Sequence, residues 1–274
     1  RVGLVEVLAE HYFPRTAPPP MPETVDVPEH ALQALAGSYR QVRHVRHGLE
    51  KVVMLGGEVV LTPDSRGNLV QHGFLGAVED LWQPIAQEVF QAADSAQPRR
   101  MAFRRDEAGD VAYAFIEGEE YLSQDAFERL AFHETTAFHM PLLLVCLLLF
   151  LSMLARWPVA AWLRGPAHDS SAGHAARYCG GIVAVLHIAF ALGMAYVIVL
   201  MEPYLFAFGI PLRVATILML PLIAVPFTLL LTVFALMAWR DRGRLLARLH
   251  TTAVVLAAWA WLWALDYWNL LGLR

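Results

Sequence analysis

Four long apolar stretches fill the second half of this 274-residue chain, over residues 140–163, 179–201, 214–239 and 251–271. A bilayer core about 30 Å thick needs about 20 predominantly apolar residues per helical span. Each stretch reaches that length with few charges: Arg156 in the first, none in the second and third, and Asp266 in the fourth. Buried helices of soluble domains are usually shorter and do not recur four times in succession. The pattern predicts a four-helix transmembrane bundle over 133–274, with helices at about 138–163, 179–201, 213–239 and 249–271. The lipid bilayer is its expected surroundings.

The average composition hides two unlike halves. Residues 1–133 carry twelve Lys/Arg against twenty Asp/Glu, whereas residues 134–274 carry nine Arg against five acids. An acidic front half argues against nucleic acid, whose phosphates demand a basic face. Cys146 and Cys179 both lie in the apolar half, so the front half has no disulfide framework,. They read as small apolar residues of the membrane segments.

Arginines near span ends orient the bundle. Arg164 and Arg177 lie between spans one and two, and Arg240, Arg242, Arg244 and Arg248 between three and four. Arg129, Arg213 and Arg274 lie on the other side. The excess of positive charge predicts that the two basic loops are cytoplasmic. The front domain and the C-terminus then fall outside the cytoplasm, in a bacterial inner-membrane arrangement.

Before the first span, residues 14–28 are rich in proline and read as a stiff linker,. Residues 29–132 change character. Short runs at 38–45, 58–62, 68–72, 78–84, 88–92, 100–105 and 111–116 are separated by turn signals such as Pro63-Asp-Ser-Arg-Gly67 and Asp106-Glu-Ala-Gly-Asp110. Regularly spaced short strands predict a small antiparallel β-barrel. Residues 48–55 read as a helical plug or lid. Side chains commonly fill barrels of this size, so a filled interior is the expectation. Residues 1–13 follow helical spacing through Val2, Val5, Leu8, Ala9 and Tyr12, and read as the terminal helix of an upstream domain,.

Catalytic and metal motifs are absent from the sequence. Acyl-transfer enzymes of the β-lactamase type use Ser-x-x-Lys, but the only lysine is Lys51 and Gly48 stands three residues before it,. There is no Gly-x-Ser-x-Gly elbow and no glycine-rich phosphate loop,. His44 and His47 would face opposite sides of a strand, and His133 and His139 bracket the start of the first span as surface or interfacial groups,. No metal ligands, cofactor site or catalytic residue are therefore expected. Two intramembrane groups remain as candidates, because burying ionisable side chains in lipid is costly: His187 in span two and Asp266 in span four,. Their depths differ, and Asp266 adjoins Tyr267 and Trp268 at an aromatic belt position, which favours anchoring over transport.

The order of parts carries a resemblance. His11-Tyr-Phe-Pro14 and the linker precede Leu35-Ala-Gly-Ser-Tyr-Arg40 and Leu49-Glu-Lys-Val-Val-Met54. Next come the β-rich segment with Phe103-Arg-Arg-Asp-Glu-Ala-Gly-Asp110, His139-Met-Pro-Leu142 opening the first span, and Trp157-Pro-Val-Ala160 near its end. This resembles the C-terminal half of membrane-anchored serine hydrolases of the class C β-lactamase and penicillin-binding-protein-like group. The resemblance implies a lipocalin-like β-domain and a membrane anchor, with the nucleophilic serine on a catalytic domain upstream of residue 1. Two other readings stay open: a membrane-tethered binding module for a lipid or peptide, and a small transporter.

Overall fold

The computed structural model describes residues 11–12, 22–43, 48–49, 51–52, 56–73, 76–93, 99–117, 124–163, 171–200, 209–240 and 245–272. The chain divides into two compact units, one of residues 1–44 and 56–131, the other of residues 45–55 and 132–274. Of the helix expected at 1–13, only His11 and Tyr12 fall among the described residues, and both are helical.

In the first unit a short helix α1 (Glu29–Leu35) leads into eight strands. These are β1 (Gly37–Gln41), β2 (Glu58–Pro63), β3 (Leu69–His72), β4 (Val78–Ala86), β5 (Val89–Ala92), β6 (Arg100–Arg105), β7 (Val111–Glu117) and β8 (Gln124–Arg129). Each pairs antiparallel with its sequence neighbours, and β8 returns to β1 through Tyr39 opposite Arg129 and Gln41 opposite Phe127, closing the barrel. The eighth strand falls outside the seven runs expected from sequence. On the alternate positions Asp125, Phe127 and Arg129 only Phe127 is apolar, and it packs on the core. Closure removes the unpaired edges that β1 and β8 would otherwise present.

Rings fill the barrel axis. Tyr39, Trp82, Phe90 and Met101 are fully buried, and Phe103 meets Tyr39 and Phe90 edge-on at 6.2 and 5.8 Å between ring centroids. Leu32 and Leu35 of α1, with Val27 before it, join the same core. The helix is tied to the barrel by its carbonyls. Tyr39 Oη donates to Leu35 O at 2.7 Å, and the Arg129 guanidinium donates to Ala34 O at 3.1 Å and Ala36 O at 2.9 Å. These donors take up carbonyls that a helix C-terminus leaves unpaired.

Two hairpins turn by the same chemistry. Asp64 Oδ1 accepts the backbone N–H groups of Arg66 and Asn68, both at 2.8 Å, and Gly67 takes a φ of +83°. Asp106 Oδ1 accepts those of Ala108 and Asp110, and Gly109 takes +89°. A carboxylate mimicking a backbone acceptor, followed by glycine at positive φ, closes a tight turn without strain.

The second unit is built of α2 (Thr136–Leu163), α3 (Ser171–Leu200), α4 (Leu212–Arg240) and α5 (Leu245–Tyr267), after a 3-10 turn at Phe132–Glu134. All four helices are long and apolar enough to cross a membrane. Helix α3 begins eight residues ahead of the expected 179, because the polar turns Ser171–Tyr178 are helical although not apolar. Pro221 and Pro226 lie inside α4, which runs through both. Glycine sets the closest approach of α3 to α4: a Cβ on Gly193 would lie 3.0 Å from Ile217 carbons. Small residues at such contacts let membrane helices pack by van der Waals attraction, where the bilayer supplies no hydrophobic drive.

Residues 45–55, which include part of the expected plug or lid at 48–55, group with this second unit and not with the barrel unit. Leu49 and Val52 pack against the helical core, and Lys51 Nζ donates to Tyr267 O and lies 4.1 Å from the centre of the Tyr267 ring.

Candidate functional site

Among the described residues no group of three or more His, Cys, Asp or Glu is placed to hold a metal ion. What the helices do assemble are three layers of polar and aromatic groups at different depths.

The middle layer holds the first sequence candidate. His187 on α3 is fully buried and stacks on Phe150 of α2 with ring centroids 5.1 Å apart and planes at 26°. Trp261 of α5 lies 5.9 Å away. Neither imidazole nitrogen of His187 has a hydrogen-bond partner among the described residues, and neither does Trp261 Nε1. His187 thus sits as an aromatic wedge joining three helices.

Asp266, the second candidate, is exposed near the end of α5 and is not brought to His187. Its main chain helps end the helix, where Asp266 O accepts the Asn269 N–H at 3.0 Å and Asn269 takes φ +54°. Beside it lies the aromatic end layer. His139, expected at a surface or interface, is instead fully buried. It stacks near-parallel on Trp263 at 5.6 Å and on Tyr267 at 4.9 Å, and meets Trp268 edge-on at 5.2 Å. A ring this enclosed behaves as a core aromatic, and its partners come from α5 and from Trp268 just past its end. Lys51 covers Tyr267 from outside in a cation–π contact,.

The third layer, missed from sequence, lies toward the opposite end. His250 of α5 receives a hydrogen bond from Arg156 Nη1 at Nδ1, 3.1 Å away, while its Nε2 is 2.8 Å from Ser152 Oγ. Ser152 Oγ in turn donates to Leu149 O at 2.8 Å. A serine next to histidine invites a nucleophilic reading, but the donors run the wrong way. Arginine can only donate, so Nδ1 of the neutral ring is the acceptor and Nε2 carries the proton. A general base would need Nε2 bare and facing the hydroxyl. The line is a relay of donors, not a dyad. Arg156 was visible as the lone charge of its span, but its partner lies 94 residues on.

In the barrel, Trp82 Nε1 donates to Gln71 Oε1 at 3.0 Å and Gln71 Nε2 to Glu79 Oε2 at 2.9 Å, a polar thread leading from the core outward. The Arg99 guanidinium lies 5.5 Å over the Trp82 ring and pairs with Asp80. Outside, an open recess of about 550 Å³ on the β6–β7 wall is lined by Arg104, Tyr113 and Phe115 among others. Burial raises the Tyr39 hydroxyl from its ordinary 10.0 to about 12, with Arg129 and Arg105 acting the other way. It therefore stays a neutral donor to Leu35.

No protein-family model, curated protein or solved structure matches this chain. Its class rests on architecture: a closed antiparallel barrel followed by four helices able to span a membrane, which makes it a multi-pass membrane protein.

Proposed function

We propose that this chain is the accessory β-domain and membrane anchor of an extracytoplasmic serine hydrolase of the class C β-lactamase and penicillin-binding-protein-like group. The observation that carries the reading is the order of parts: a short helix, a closed lipocalin-like barrel and four spans, in register with the phrases Leu35-Ala-Gly-Ser-Tyr-Arg40, Phe103-Arg-Arg-Asp-Glu-Ala-Gly-Asp110 and His139-Met-Pro-Leu142. The catalytic serine, its lysine and its tyrosine belong to a domain upstream of the barrel, and the chemistry is acylation of that serine followed by hydrolysis. The arginine distribution supports an orientation with the barrel on the outer face of a bacterial inner membrane,.

Rings on the barrel axis favour an accessory role over a lipid- or peptide-binding module, because such a ligand needs the space that Trp82, Phe90 and Phe103 occupy,. His187 lodged between aromatic rings likewise gives little support to a transporter, whose sites use broken helices and polar groups near mid-bilayer. Two experiments test the proposal. The reading frame upstream of Arg1 is expected to encode an enzyme domain with Ser-x-x-Lys, and a stop codon or an unrelated domain there removes it. Purified residues 1–274 are expected not to turn over a chromogenic β-lactam or ester, and turnover would place a catalytic site within this chain.

A further inference from the structure

We propose that the open recess on the β6–β7 wall of the barrel is a binding site for a neutral oligosaccharide, seated on the rings of Tyr113 and Phe115. The site is independent of the hydrolase reading. It begins with a departure from the barrel's own pattern. Tyr39, Trp82, Phe90 and Phe103 turn their rings into the core, and Phe127 packs against it. Side chains alternate along a strand, and on β7 Ala114 and Ile116 are buried while Tyr113 and Phe115 stand on the outer wall, 37% and 39% exposed. Contiguous exposed rings mark a binding surface. Their neighbours leave the faces open. In the register of the sheet Phe115 lies opposite Ala102 on β6 and Ala126 on β8, and neither methyl group can cover a ring. The two ring centroids are 6.5 Å apart with planes at 35°, which makes a shallow platform.

Charge and size then select the ligand. Arg104 lies opposite Tyr113 in the β6–β7 pair and is exposed. Among the described residues its guanidinium has no hydrogen-bond or ion-pair partner, and neither has the exposed carboxylate of Glu107. Arg105, by contrast, is held by Glu88 and by Gly109 O, and Asp106 is taken up in its turn. The rim of the platform thus offers a donor fork and an acceptor. A sugar hydroxyl both donates and accepts, so it can use the two together. Arg104 and Arg105 balance Asp106 and Glu107, and the recess carries no net charge. A phosphate or sulfate would meet two carboxylates there, and a cation two guanidiniums. The faces of aromatic rings carry partial negative charge, which attracts the C–H groups of a pyranose. A β-linked gluco-configured chain, whose ring hydrogens lie on its two flat faces, matches the platform best. The extent of the recess agrees. Nine described residues line it, against about 20–30 on each side of a stable protein interface. Its volume of about 550 Å³ falls within the roughly 300–1,000 Å³ of small-ligand sites.

The full chain, purified in a detergent without a sugar headgroup and titrated calorimetrically with N-acetylated chitotetraose and with cellotetraose, tests this. The wild-type protein is expected to bind at least one of the two. Phe115→Ala and Tyr113→Ala are each expected to weaken that binding roughly tenfold, which corresponds to about 1.4 kcal/mol; either carries the test if the other fails to fold. Phe115→Leu keeps apolar bulk without a ring face and is expected to lose as much, whereas Phe115→Tyr is expected to bind as wild type. Leu81→Ala, an exposed change on β4, is expected to leave binding unaltered. Binding of neither sugar at millimolar concentration overturns the site, and so does full binding by Phe115→Leu, which would reduce the contact to generic apolar adhesion. Tighter binding of a sulfated oligosaccharide overturns the neutral assignment. A dimer of the full chain that Phe115→Ala dissolves overturns the sugar site and gives this face to a second copy.

Discussion

Each unit buries a tryptophan at its centre, and the two are treated in opposite ways. Trp82 in the barrel is fully buried and its indole N–H reaches Gln71, which reaches Glu79. Trp261 in the bundle is 4% exposed, and among the described residues its N–H has no acceptor. The difference follows from where each unit finds its unfolded reference state. A barrel folding out of water gives up hydration of the indole, and an unpaired N–H then costs about 1–3 kcal/mol. A helix already in lipid has lost that hydration before it meets its neighbours, so packing Trp261 against Phe150 and His187 adds no second penalty. The barrel is therefore held by apolar burial with the Trp82 indole threaded outward through Gln71 and Glu79. The bundle is held by ring stacking and close glycine contacts.

The largest effect that bears on this contrast is truncation of the barrel tryptophan. Trp82→Ala is expected to cost about 3–5 kcal/mol through the cavity it leaves, with Gln71 Oε1 also losing its donor. In a thermal melt of the full chain followed by circular dichroism, the strand signal should be lost early while the helical signal holds. Simultaneous loss of both signals would show that the two units do not unfold separately.

Titration of Tyr39 comes next. Its hydroxyl is raised above the unfolded value, so the stability it reflects is fully present below pH 10 and is lost as pH rises through about 12,. The loss over that window is roughly 2–3 kcal/mol. Barrel melting at rising pH, read beside phenolate absorbance, checks the sign. Tyr39→Phe should flatten that part of the profile, and an unchanged profile would mean that another group dominates.

A matched pair then isolates the indole N–H itself. Trp82→Phe is expected to cost about 1–3 kcal/mol because it strands a buried acceptor. Trp261→Phe removes a donor that bonds to nothing described, and its cost is expected to stay nearer that of a shape change, under about 1.5 kcal/mol. Equal costs for the two substitutions would erase the distinction drawn between the units.

How much of this was legible in the sequence depends on whether a signal is local. Span length and apolar runs announced the four helices, and alternation with turn residues announced seven strands. Strand β8 was hidden because Asp125 and Arg129 share a face with Phe127, leaving one apolar residue where a pattern needs several. Lys51 and its loop were assigned to the barrel because they lie between β1 and β2 in the chain. Their partner Tyr267 lies 216 residues away. His139 and the Ser152–His250 line failed for the same reason, since each site is completed by α5. His187 and Asp266 were singled out for being ionisable in lipid, a residue-level signal that gave their depth but not their company.

The smallest effect concerns the most local feature, the repeated Asp-x-x-Gly hairpin turn. At Asp64, burial opposes the charge, but the Asn68 side-chain amide at 2.9 Å and the backbone N–H groups of Asn68 and Arg66 outweigh it and hold the carboxyl below its ordinary value. The stability tied to this carboxylate is present above the ordinary carboxylate range and fades as pH falls through the lowered one. Asp64→Asn keeps one acceptor oxygen, whereas Asp64→Ala releases the N–H groups and should lose about 1 kcal/mol, near the net value of a hydrogen bond. Asp106→Ala, in the other turn, removes the same two backbone acceptances without an Asn68 counterpart, so its loss should be the smaller of the two. Both are read from the barrel transition alone. A shift of the helical transition by either variant would mean that the bundle senses the barrel's turns, and the two tryptophans could no longer be judged as belonging to separate solvents.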